Sequence, residues 1–253
     1  DVFGADDANS KALKDSDAVA GNLAKFDSSG NPVDSGIASN TVPIATTQDL
    51  TFYVNPSTGN DNNNGSSGSP FKTIAKAISL IPQIVNHTVT INLADGNYDE
   101  GITLSGYVGK GMIFVNGNET TPSNVVLSGQ FLLQGCHTRY IALSGLKTTY
   151  TASHAVFVSS CFSVNLSKIV AIESASGAGA VYELSIGTVQ ESTFSNRTYG
   201  IFCTSKSIIY SYNNDGESNT YGLYCNQAST IGKCGTQPSG TTGEYAEAGG
   251  EIR

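Results

Sequence analysis

Thr198-Tyr199-Gly200-Ile201-Phe202-Cys203 returns 22 residues later as Thr220-Tyr221-Gly222-Leu223-Tyr224-Cys225. Ser163, Ser185, Ser207 and Ser229 keep the same interval, and Val164, Ile186, Ile208 and Thr230 follow them as a branched column. A period of this length with recurring serine and branched positions marks a coiling β-architecture, in which each turn stacks like residues on the turn before. The expected fold is all-β: a right-handed single-stranded parallel β-helix with a capping α-helix and a small N-terminal attachment region. Alternation assigns the column Phe157, Gly179, Ile201, Leu223 and the column Ser159, Val181, Cys203, Cys225 to the interior. Val158, Ala180, Phe202 and Tyr224 between them are expected outside.

Composition agrees. Of the 253 residues 28 are Gly and only 13% are charged, the balance of a turn-rich β-protein. The net charge of −8 opposes a polyanionic partner, and the 13 Lys and Arg form no basic stripe, so no nucleic-acid partner is expected. No run of 18 apolar residues suggests membrane insertion. With Asp at residue 1, the chain reads as a processed or excised piece. Cys203 and Cys225 share a column, where they either bond or pack as small apolar thiols, the commoner outcome. Cys136, Cys161 and Cys234 have no evident partners. No Cys or His spacing predicts a metal, and no cofactor is expected.

Three regions follow. Residues 1–50 hold a short helix over Ala8 to Ala20 and, from Asn22 to Ile37, two strands around a Ser-Ser-Gly-Asn turn. Residues 51–235 form the β-helix domain. Its one convincing helix is expected to start at Ser69 as N-cap with Pro70 in the first position, to present Phe71, Ile74, Ile78 and Ile81 on one face, and to stop at Pro82. Its apolar face would lid the open end of the stack. Residues 236–253 read as an irregular cap or linker. The Gly59–Gly65 loop with Asp61 suits either an Asx-turn or a calcium ligand, the turn being far commoner.

Phe52-Tyr53-Val54-Asn55-Pro56, then Gly59-Asn60-Asp61, Gly65 and Ser69-Pro70-Phe71-Lys72-Thr73-Ile74 with Ala77-Ile78, resembles the opening motif of right-handed parallel β-helix proteins. That superfamily holds polysaccharide lyases, epimerases, glycosidases and bacteriophage tailspikes. Gly21-Asn22-Leu23-Ala24-Lys25-Phe26-Asp27 with Gly30-Asn31-Pro32-Val33-Asp34-Ser35-Gly36 resembles a segment of phage and prophage tail-fibre proteins. The two resemblances imply a homotrimeric tail fibre or tailspike in a virion tail, joined to other tail or baseplate proteins and contacting a bacterial surface polysaccharide. They carry over no catalytic motif.

Two kinds of site are candidates. A polysaccharide depolymerase, hydrolase or lyase, would need paired carboxyls or a basic group beside acids. Glu173 and Glu217 share a 22-residue column through Ser195, and Asp215 lies two residues before Glu217, although a solvated acidic face explains them as well. The aromatic candidates are Tyr199, Phe202, Tyr210, Tyr212, Tyr221 and Tyr224, which fit either a glycan platform or the interface of a trimer. Binding without catalysis is the first expectation.

Overall fold

A computed structural model describes residues 45–253 and, of the N-terminal region, the backbone of two strands and Ser28. The chain divides into Asp1–Ile44 and Ala45–Arg253. In the first unit Asn22–Phe26 pairs antiparallel with Pro32–Ala38, Phe26 opposite Pro32, which is the expected hairpin. The helix expected over 8–20 lies outside the described residues.

The second unit is a parallel β-solenoid of about seven turns with almost no helix. Its first sheet stacks Leu50–Val54, Thr88–Leu93, Met112–Asn116, Tyr140–Thr148, Val164–Ala171, Ile186–Gln190, Ile208–Tyr212, Thr230–Cys234 and Glu251–Ile252. Its second stacks Ile102–Ser105, Phe131–Gln134, Val156–Ser159, Ala175–Glu183, Arg197–Thr204, Asn219–Cys225 and Gly240–Ala246. A short third ladder runs through Asn97, Val126, Lys147, Val170, Thr193 and Asp215. Right-handed winding is the sense that strand twist imposes on such parallel crossovers.

Alternation along every strand sends one set of side chains inward. Val89, Ile91, Ile113, Val115, Ile141, Leu143, Val164 and Leu166 are all buried in the first sheet. Each large aliphatic chain withdrawn in this way contributes roughly 1.5–3 kcal/mol. Tyr182 is also fully enclosed, and its hydroxyl donates to the Val164 and Thr188 carbonyls at 3.1 and 3.2 Å. Gly187 makes room for it, since a Cβ there would stand 2.5 Å from the Tyr182 ring.

The corners between sheets turn on left-handed residues, single in the early turns and paired in the last three as Ser205-Lys206, Gln227-Ala228 and Ala248-Gly249. One corner runs through Gly106, Gly135, Ser160, Leu184, Lys206, Ala228 and Gly249, all at positive φ. The next residue in every turn but the last points into the core: Tyr107, Cys136, Cys161, Ser185, Ser207 and Ser229 are buried. There a cross-rung chain forms: the Cys161 N–H donates to Ser185 Oγ, the Ser185 N–H to Ser207 Oγ and the Ser207 N–H to Ser229 Oγ, each at 3.0 Å. The Cys136 N–H continues it onto Cys161 Sγ at 3.4 Å. These bonds satisfy buried donors that the bend removes from the sheet ladders.

The register corrects several expectations. Ser185, Ser207 and Ser229 lie on adjoining rungs, but the fourth member is Cys161, not Ser163, because the turns before Ser185 are longer than 22 residues. For the same reason Val164 pairs with Gly187 and not with Ile186. Val156, Ala180, Ile201 and Leu223 form one inward column, and Val158, Tyr182, Cys203 and Cys225 the other. Phe157 and Val181 belong with Phe202 and Tyr224 on the outside. Cys136 and Cys161, expected to lack partners, are rung neighbours. Thr236 to Arg253 is not an irregular cap: Tyr224 pairs with Tyr245 and Ile231 with Ile252, so the winding continues to the end.

The capping helix is Ile74–Ser79, shorter than expected. Phe71 is not helical; it bridges Val54 in parallel and is buried. Acidic side chains set the start. Asp61 Oδ1 accepts the Lys72 and Thr73 N–H groups at 2.9 Å each, and Glu100 accepts those of Ile74 and Ala75 at 2.8 and 2.9 Å. Thr73 Oγ1 takes the Lys76 N–H at 3.1 Å, which completes the first turn. Ile74 and Ala77 are buried, and the helix covers the free edge of Ile102–Ser105.

Candidate functional site

The aromatic candidates separate onto two faces. Tyr199, Phe202, Tyr221 and Tyr224 project from the second sheet, whereas Tyr210 and Tyr212 project from the first. Tyr199 and Phe202, and Tyr221 and Tyr224, three apart, pack on the same side across the buried Gly200 and Gly222; a Cβ on Gly222 would sit 2.0 Å from the Pro238 carbonyl oxygen. The four rings then pack on one another. Tyr199 stacks on Tyr221 at 5.6 Å and on Phe202 at 4.9 Å, and Tyr224 stands edge-on to Tyr199 at 4.8 Å. Tyr245, which the sequence reading missed, adds a fifth ring 5.5 Å from Tyr224. The Tyr224 hydroxyl donates to Glu247, and that carboxylate raises its pKa. Tyr224 is 9% exposed, so the middle of this cluster is packed within the molecule, while Tyr245 at its end is 41% exposed.

Tyr210 and Tyr212 differ. They are 47% and 36% exposed, lie side by side with centroids 6.4 Å apart, and are inclined by only 10°. Each lies one rung from the last position of an outward column of the first sheet. Behind Tyr212 run Gln190, Ser167, Ser144, Asn116 and Asn92; behind Tyr210 run Thr188, Asn165 and Ala142. The amide column is internally linked, with Asn116 Nδ2 donating to Asn92 Oδ1 at 3.4 Å, Ser144 Oγ to Asn116 Oδ1 at 3.3 Å and Gln190 Nε2 to Ser167 Oγ at 3.4 Å. Its far end is Tyr53, beside a cleft of about 200 Å³ lined by Tyr53, Asn55, Pro70 and Asn92. At roughly 4.8 Å per rung the column spans about 29 Å.

The acidic candidates fall on and beside the third ladder. Glu173 pairs with Lys147 at 3.1 Å, on the side away from Glu217. Asp215 and Glu217 are exposed, and Asp215 accepts its neighbour Gly216 N–H at 2.7 Å. The Glu217 N–H donates to Ser195 Oγ at 3.0 Å. Close by, Arg197 is buried and donates to the Tyr150 and Ser153 carbonyls at 3.0 and 3.3 Å, clamping the loop between them. Burial, and then this guanidinium, hold His154 below its ordinary pKa; its Nδ1 accepts the Ala178 N–H at 2.9 Å.

Among the described residues no group of three or more His, Cys, Asp or Glu could hold a metal ion, and no helix is long and apolar enough to cross a membrane. Asp61, weighed as a calcium ligand, has its carboxylate occupied by the helix start. All five cysteines are free, Cys234 alone exposed. The neighbouring thiol of Cys136 and burial push Cys161 up, and Cys225 with burial does the same to Cys203, so both remain neutral thiols.

A family model described as a protein of unknown function, DUF1565, matches residues 57–222, more than half of the chain and most of the solenoid. The chain belongs to this DUF1565 family. No curated protein and no solved structure matches it. The solenoid of this DUF1565 member is a β-helix fold compatible with proteins that bind or degrade carbohydrate.

Proposed function

We propose that this protein is a glycan-binding β-solenoid whose site is the outer face of its first sheet. The observation that carries the reading is the amide and hydroxyl column from Asn92 to Gln190, followed by the near-parallel, exposed Tyr210 and Tyr212. Amides and hydroxyls both donate and accept, as sugar hydroxyls do, and ring faces take the apolar side of a pyranose. Binding is the primary reading because the acidic candidates are spent otherwise: Glu173 is tied to Lys147, and Asp215 and Glu217 lie on another face. The depolymerase reading keeps Asp215 and Glu217 as its residues.

The biological setting we propose is host attachment by a phage tail fibre or tailspike, homotrimeric, with a bacterial surface polysaccharide as ligand. It rests on the tail-fibre resemblance of Gly21 to Gly36, within which Asn22–Phe26 pairs antiparallel with the strand Pro32–Ala38. Affinity electrophoresis of the whole chain in gels containing surface polysaccharide tests the binding. Retardation that Asn116→Ala and Gln190→Ala weaken supports it, and migration equal to that in plain gel refutes it. Size-exclusion of the incubated polysaccharide separates binding from cleavage, and sedimentation of the protein reads the trimer.

A further inference from the structure

We infer that the ligand of this face is an uncharged glycan, and that one of its sugar rings is seated on the Tyr210–Tyr212 pair, held open by Gly232. The inference rests on the glycan-binding reading and adds the chemical class and the position of contact.

The class follows from charge. The outward columns of the first eight rungs of the first sheet, from Thr51 and Tyr53 to Gly232 and Cys234, hold no Asp, Glu, Lys, Arg or His among the described residues. The exposed Lys233 between Gly232 and Cys234 belongs to the opposite-facing column with Ser211, and its ammonium meets Glu244. The chain as a whole has 34 charged residues, 13 basic and 21 acidic. They gather at the corners and on other faces: Lys168 sits at a left-handed corner between Glu119 and Glu191, and Lys147 meets Glu173 on the third ladder. A uronate or phosphate polymer lying along this face would lose hydration without meeting a cation, and would approach a protein of net charge −8. A neutral polymer meets neither penalty, and its hydroxyls match the amide column.

The seat follows from the next rung. Tyr210 is followed in register by Gly232, and Tyr212 by Cys234. A Cβ built at Gly232 would lie 3.4 Å from Tyr210 Cδ2, in van der Waals contact with the ring. Gly232 does not hold a positive φ, so its backbone accepts a side chain. Its lack of one leaves the Tyr210 ring uncovered on that side. The two columns thus bring two near-parallel, exposed rings together toward the end of a hydrogen-bonding strip.

The test uses the whole chain in affinity gels containing dextran or mannan as neutral polymers and polygalacturonate or alginate as acidic ones, each at low and high salt. Retardation by a neutral polymer, insensitive to salt, is expected. Gly232→Val covers the ring without removing a polar contact and should weaken that retardation about five- to tenfold, as should Tyr210→Ala, whereas Tyr210→Phe should retain it. Far-ultraviolet circular dichroism and melting temperature confirm that each variant folds. Retardation by the acidic polymers alone, falling with salt, overturns the neutral class and leaves the glycan-binding reading standing. Neutral binding unchanged in both Gly232→Val and Tyr210→Ala overturns the seat. No retardation by either class overturns the inference and the glycan-binding reading together.

Discussion

The backbone N–H of Cys161 donates to the hydroxyl of Ser185 on the following turn at 3.0 Å, while the sulfur of Cys161 accepts the N–H of Cys136 on the turn before at 3.4 Å. Cysteine and serine therefore serve the same structural office at one buried corner. Removing the acceptor at any rung strands a buried donor.

Ser207→Ala should accordingly destabilise the protein by about 1–3 kcal/mol, because the Ser185 N–H loses its partner. Ser207→Cys restores an acceptor of the kind Cys161 already provides and should recover much of that loss. Urea unfolding midpoints of the two variants and the parent read the difference.

Leu184 carries a left-handed backbone, φ 48°, with its side chain 58% exposed. The conformation costs a branched residue roughly 1–2 kcal/mol, and the exposed side chain returns little. Leu184→Asn should raise stability by about 0.5–1 kcal/mol in thermal unfolding. Gly145→Ala should do the reverse: φ there is 66°, and a Cβ would stand 2.6 Å from the Asn118 carbonyl carbon.

Asp61 gives a pH dependence of known sign. Burial pushes its pKa up, but the N–H groups of Thr73 and Lys72 and the Thr73 hydroxyl outweigh that and hold it below the usual carboxylate value. A lowered folded pKa means full stabilisation above the unfolded value near 3.9 and progressive loss as pH falls through the folded one. Asp61→Ala should cost about 1 kcal/mol at neutral pH and flatten the acid limb of the stability curve.

His154 acts from the other side of its titration. Its folded pKa is lowered by burial and then by Arg197, so the unfolded chain binds the proton first. Stability should fall as pH drops below about 6.5, and His154→Gln should remove that part of the slope. Melting temperatures between pH 5 and 8 check it.

Native alkylation should modify Cys234 rapidly and the other four thiols only on unfolding, since Cys234 alone is exposed. Mass spectrometry of peptides after a short iodoacetamide pulse reads the ratio.

The coil was legible because the late turns hold nearly constant length and two of them repeat the Tyr-Gly-aliphatic-aromatic-Cys block. The corner was legible only in part. Cys161 fills a serine place at a longer interval, and a count of 22 slid onto Ser163 instead. The final turn was hidden because Gly240–Ala246 carries one large apolar residue, Tyr245, and mostly exposed positions, so its alternation is silent. Tyr210 and Tyr212 were readable as aromatic candidates, but proximity in sequence joined them to rings on another sheet. The amide column was missed because its intervals vary between turns. A signal was present in the glycines: Asn116, Ser144 and Cys234 each stand just before one, Gly117, Gly145 and Gly235, where the chain leaves the sheet.

Glu100 grips the start of the helix from 26 positions further along the chain. During synthesis, then, the segment around Ile74 emerges without one of its two carboxylate clasps. The lid can be latched only after the second winding has left the ribosome, which makes the beginning of this rod one of the later parts of its first turns to set.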